Sequence, residues 1–87
     1  MSLTYEEFRA FVAQRFGGVL LAGTHPLNHA ACALEAWSQA EGKIWTDDPS
    51  VLKLPDLRPL NDAPWASNEL RTEWLSHVLV VVAPVWR

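Results

Sequence analysis

Apolar residues recur along this chain at three- and four-residue intervals, in blocks bounded by capping or breaking residues. Phe8, Phe11, Val12, Arg15 and Phe16 follow Thr4-x-x-Glu7, a capping-box signature, and Gly17-Gly18 stop that helix. Val19 to Ala22 is a short apolar connector. A second helix is expected from Thr24, with Pro26 in its first turn, to Gly42. Its stripe is Ala30, Ala33, Leu34, Trp37 and Ala40, and its alanine content makes it a strong helix former. Asp47 or Asp48 caps a short helix that begins at Pro49, turns Val51, Leu52 and Leu54 inward and breaks at Pro55. Asp56 to Leu60 forms a turn or another short helix, since Pro59 forbids a long one. Asp62 to Trp65 reads as a loop. Ser67 caps the last helix, whose expected stripe is Leu70, Trp74, Leu75, Val78, Leu79 and Val82, with Pro84 as its end. The β-branched run His77 to Val82 also suits a strand, but the unbroken spacing from Leu70 favours helix. The pattern predicts a compact all-α fold, one helical domain over 1–87 with three main helices and one or two short ones.

The balance of residues narrows the possible partners. The chain has 87 residues, of which 49% are hydrophobic and 20% charged, so it can bury a core and is not compositionally disordered. Its net charge is −3, and the basic residues Arg9, Arg15, Lys43, Lys53, Arg58, Arg71 and Arg87 are dispersed, which gives no electrostatic reason to bind nucleic acid. The single cysteine, Cys32, excludes an intrachain disulfide and fits a reducing compartment. The N-terminal segment is acidic where a signal peptide would be basic, and the apolar stretch Val78 to Trp86 is short and interrupted by Pro84. A soluble cytoplasmic protein is expected, with no membrane partner and no cofactor.

Ala31-Cys32-Ala33-Leu34-Glu35-Ala36, Gly42, Trp45-Thr46-Asp47-Asp48-Pro49, Asn61-Asp62 and Arg71 together resemble the pattern of a family of small uncharacterised bacterial helical proteins. The resemblance covers about the middle half of the chain. Family members often carry a second Cys or His after the Asp, where this chain has Asp48 and Ser50. The resemblance implies a helical fold and brings no activity with it.

Two classes of chemistry are worth weighing. Glu35, Asp47, Asn61, Asp62 and Arg71 are polar residues set among apolar ones. As structural elements, Asp47 caps a helix, Glu35 or Asp62 pairs with Arg71, and Asn61 satisfies a turn, so that Glu35, Asn61 and Arg71 act as a polar staple. As chemistry, Glu35, Asp47 and Asp62 would be acid–base carboxylates, but no nucleophile motif or phosphate loop accompanies them. His25, His29 and Cys32 stand at i, i+4 and i+7, one face of a helix, with the residue types of a zinc site. A fourth ligand would have to come from elsewhere, and no second Cys or His pair supplies it. Cys32 in mid-helix among apolar neighbours lacks the electropositive setting of a catalytic thiol.

Tryptophan is the one excess, with five residues: Trp37, Trp45, Trp65, Trp74 and Trp86. Trp37 and Trp74 lie on apolar stripes and are expected in the core, with Trp45 inclined the same way. Trp65 and Trp86 fall in a loop and at the tail, where tryptophan either plugs gaps or anchors a partner. The expected function is therefore a non-catalytic protein-interaction domain, an accessory or inhibitor protein comparable in class to the anti-CRISPR proteins of bacterial mobile elements and phage. Its partner surface would be Trp65, Trp86 and the acidic residues Asp47, Asp48, Asp56 and Asp62, docking on a protein with a basic surface or on a second copy of itself. The alternative is a small metal-binding protein or enzyme using Glu35, Asp47 and Asp62 or the His25, His29 and Cys32 face.

Overall fold

The computed structural model describes residues 3–23 and 30–87. Helix α1 spans Tyr5–Phe16. Thr4 Oγ1 accepts from the Glu7 N–H at 3.1 Å while Glu7 Oε1 accepts from the Thr4 N–H at 2.9 Å, the capping box expected there. Gly17 ends the helix at φ 69°, a left-handed conformation that a side chain would strain. Helix α2 spans Ala33–Ala40, α3 Pro49–Leu52, α4 Arg58–Asp62 and α5 Asn68–Trp86. Asp48, rather than Asp47, caps α3, its carboxylate accepting from the Ser50 N–H at 2.9 Å. Ser67 caps α5 through the Leu70 N–H at 3.1 Å. The all-α reading holds: the three long helices meet one another pairwise, two short helices lie between α2 and α5, and the described residues contain no strand.

Three local expectations are corrected. Cys32 is not in mid-helix. It is the N-cap of α2 in extended conformation (φ −83°, ψ 175°), and Ala30 and Ala31 before it are not helical. The Ala31 carbonyl instead accepts from the Leu21 N–H at 2.9 Å, which ties this stretch to the connector after α1. Val51 faces solvent, because a one-turn helix can turn only part of its surface inward and Leu52 and Leu54 fill that place. Pro84 lies inside α5 rather than ending it. So near the C-terminus a proline removes only one ladder bond, and the Arg87 N–H still reaches the Ala83 carbonyl at 3.2 Å.

The core gathers Phe8, Val12 and Phe16 of α1, Leu20 of the connector, Leu34, Ala36 and Trp37 of α2, Leu52 and Leu54 near α3, and Leu75, Leu79 and Ala83 of α5. Each fully buried large side chain contributes about 1.5–3 kcal/mol. Phe8 meets Trp37 edge-on at 5.0 Å, and Phe16 meets the half-buried Trp45 at 5.9 Å. The buried side of α5 is Arg71, Thr72, Leu75, Ser76, Leu79 and Ala83. Its polar members all bond to backbone. Thr72 Oγ1 accepts from the Leu20 N–H at 2.7 Å and donates to the Asn68 carbonyl at 2.7 Å, and the Ser76 hydroxyl donates to the Thr72 carbonyl.

Candidate functional site

The orientation of α5 decides what the molecule presents outward. Leu75 and Leu79 are inside, but Trp74, expected in the core, is 54% exposed, and Leu70, Val81 and Val85 are 40%, 64% and 82% exposed. At 100° per residue these four fall within one arc of about 60°, opposite the buried side. Val78 is half-buried beside them. His77 borders the stripe, exposed, its ring stacked on Tyr5 at a centroid distance of 4.0 Å. Tyr5 in turn accepts from Arg9 at 2.6 Å. The outward side of α5 is thus an apolar strip running the length of the helix, with Pro84 on its margin and no Asp, Glu, Lys or Arg within the arc.

The expected partner-binding residues divide. Trp86 is 61% exposed at the end of α5, turned about 100° from Val85 around the helix. Trp65 is half-buried and its Nε1 donates to the Leu60 carbonyl at 2.9 Å, so its indole fastens the loop after α4. The acidic residues are engaged locally. Asp48 is the α3 cap, and the Ser50 hydroxyl and N–H hold its carboxyl below the ordinary value. Asp56 takes a two-pronged bond from Arg58, at 2.9 and 3.1 Å, which lowers its carboxyl in the same way. Asp62 accepts from the Gly23 N–H and from Asn61 Nδ2, both at 2.8 Å. Asp47 is half-buried in the turn before α3.

Glu35, Asn61 and Arg71 are buried, and they bond backbone groups at the ends of elements. Glu35 Oε1 accepts from the Cys32 N–H at 2.8 Å, completing a capping box in which a thiol replaces the usual hydroxyl. Asn61 Oδ1 accepts from the Ala33 N–H at 3.0 Å, and Asn61 Nδ2 donates to the Leu21 carbonyl at 3.1 Å. Arg71 does not pair with Glu35 or Asp62 as expected. Its guanidinium donates to the Asn61 carbonyl at 2.6 Å, to the Ala63 carbonyl at 3.0 Å and to Asn68 Oδ1. The α4 turn offers these oxygens because a five-residue helix leaves its carbonyls without intrahelical partners. Asn61 and Arg71 thus form a hub that joins the connector, the start of α2, α4 and α5.

His25 and His29 lie outside the described residues. Cys32 is at the α2 cap, so the expected single helical face of His25, His29 and Cys32 does not continue to it. Burial first, with the Glu35 charge adding, pushes its thiol up to about 12. That is the setting of a structural cysteine rather than a nucleophile. No group of three His, Cys, Asp or Glu suited to a metal occurs among the described residues. Nor is any described helix long and apolar enough to cross a membrane.

The stripe on α5 was not among the residues that sequence reasoning put at a surface. Its signal was present but ambiguous: α5 is apolar on most sides, and the small polar Thr72 and Ser76 mark the buried side only because their hydroxyls bond the backbone. No protein-family model, no curated protein and no solved structure matches the chain.

Proposed function

We propose that this chain is a non-catalytic protein-interaction domain, an accessory or inhibitor protein, that docks through the outward face of α5. The supporting observation is the strip of Leu70, Trp74, Val81 and Val85; Trp86 is a further exposed indole at the end of the helix, off the strip. Scattered exposed apolar residues need no explanation, but four large ones aligned along one face of one helix form the kind of patch that marks an interaction site. Trp74 and Trp86 are of the residue type that dominates binding energy at interface centres. Glu35, Asn61 and Arg71 bond backbone groups at the ends of elements, which speaks for a scaffold and against an acid–base site.

The test is affinity capture from the source cells with the purified protein, its Val81→Glu variant and its Trp86→Ala variant, beside thermal melts followed by circular dichroism. Loss of the captured partner with Val81→Glu at an unchanged melting temperature is the expected outcome. Equal capture by all three proteins, with the same oligomeric mass in all three, would overturn the α5 face as the docking surface.

A further inference from the structure

The partner that this face suits best can be read from its spacing. Leu70, Trp74, Val81 and Val85 are placed symmetrically about the midpoint between His77 and Val78, at 7.5 and 3.5 residues to either side. A twofold axis beside that midpoint, between two antiparallel helices and perpendicular to both, sets position 70 of one copy opposite 85 of the other and 74 opposite 81. We propose that two copies of this chain pair through antiparallel α5 helices about such an axis. The proposal rests on the reading of this face as the docking surface and names its occupant.

Three features favour a second copy. The first is shape. Antiparallel pairing sets Trp74 of one copy opposite Val81 of the other and Leu70 opposite Val85, so a large side chain always meets a slimmer one. Parallel pairing would set Trp74 against Trp74 and leave the valine pairs short of contact. The second is charge. The chain carries a net charge of −3, so copies repel at long range, yet the strip itself holds no formal charge. The nearest carboxylate, Glu73, would meet its counterpart in a parallel pair. In an antiparallel pair the two lie roughly 13 Å apart along the axis, beyond a Debye length at physiological salt. The third is extent. The exposed strip runs about 22 Å along α5 from Leu70 to Val85, so two antiparallel copies share four facing pairs along it, with Val78, His77 and Pro84 at the margin. Isologous pairing through one self-complementary patch is the commonest form of protein self-association.

The first measurement is light scattering of the purified chain at high micromolar concentration. The expected mass is twice the 9.8 kDa of one chain for the unaltered protein and 9.8 kDa for Val81→Glu, with the same helical circular dichroism in both. The direction of pairing is read by mild oxidation of variants carrying one added cysteine, the native Cys32 being buried. Val78→Cys, beside the axis, is expected to crosslink between copies. Trp74→Cys, roughly 10 Å from its counterpart along the axis, is expected not to. Efficient self-crosslinking of Trp74→Cys would overturn the antiparallel arrangement. A monomer, or a dimer that survives Val81→Glu, would overturn self-pairing through this face. In either case the capture experiment decides separately whether the face docks on a different protein, since loss of a captured partner with Val81→Glu would keep the interaction reading and equal capture would remove it.

Discussion

Cys32 shows how one side chain sets an element boundary. Its sulfur accepts from the Glu35 N–H at 3.5 Å and its own N–H is held by the Glu35 carboxylate, the geometry in which a serine would serve. Cys32→Ser should therefore melt at the same temperature as the unaltered protein or slightly above it. Cys32→Ala leaves a helix-end donor without its acceptor and should lower stability by about 1 kcal/mol, read by urea unfolding. With its thiol pushed up to about 12, Cys32 should resist alkylation by iodoacetamide at mildly alkaline pH until the chain is unfolded. The same motif was legible at Thr4 and Glu7, because threonine followed by glutamate three residues later is the usual form. At Cys32 and Glu35 it was not, because a thiol is seldom a cap and the alanines before it look helical. Arg71 was legible as a buried polar staple. Its partners were not, since carbonyl oxygens left free by a short helix have no signature in side-chain identity.

At the scale of the element, α5 is the instructive case. Its existence and its Ser67 cap were legible from spacing, but the side it buries was not. Leu75 and Leu79 belong to both the expected and the observed stripe, while Leu70 and Trp74 turn outward and Thr72 and Ser76 turn inward. Hydrophobicity alone places Trp74 above Thr72 in any core. What overrides it is the Leu20 N–H, which would be buried without a partner were the Thr72 hydroxyl absent. Thr72→Val keeps the shape and removes that acceptor, and should cost about 1–3 kcal/mol in chemical denaturation. Leu79→Ala should cost about 2–5 kcal/mol by opening a cavity. Trp74→Ala, despite deleting a far larger side chain, should leave the denaturation midpoint of the monomeric Val81→Glu background nearly unchanged. A large loss there would mean that Trp74 is packed inside after all.

At the scale of the molecule, the helices are strapped together at their ends. Arg87 donates to both oxygens of Glu41, one at 2.7 Å, and to the Leu52 carbonyl at 2.7 and 3.2 Å, which joins the end of α5 to the ends of α2 and α3. Burial alone would raise the Glu41 carboxyl, but the bonds and charge of Arg87, with Lys43 nearby, outweigh it and hold Glu41 below its ordinary value of 4.5. A carboxyl lowered by folding adds stability above its unfolded value and loses it as the pH falls through the folded one. Unaltered protein should thus exceed Glu41→Gln by about 0.5–1 kcal/mol near neutral pH, and the gap should close on acidification below 4.5. Such a strap, spanning 46 residues of sequence, was not legible, because it depends on where the helices finish relative to one another. The all-α architecture was, because caps and glycine stops act locally. The radius of gyration of 11.4 Å agrees with the roughly 12 Å expected for a folded chain of this length.

The placement of the tryptophans also equips the molecule with an optical reporter. Trp37 lies wholly inside, and its indole nitrogen has no hydrogen-bond partner among the described residues, so its emission should sit at short wavelength and stay there whatever happens at the surface. Trp74 stands in water on the strip, and its emission should be red-shifted. Covering the α5 face should therefore move the fluorescence to the blue without any label, and the moving component should vanish in Trp74→Phe while the buried one persists.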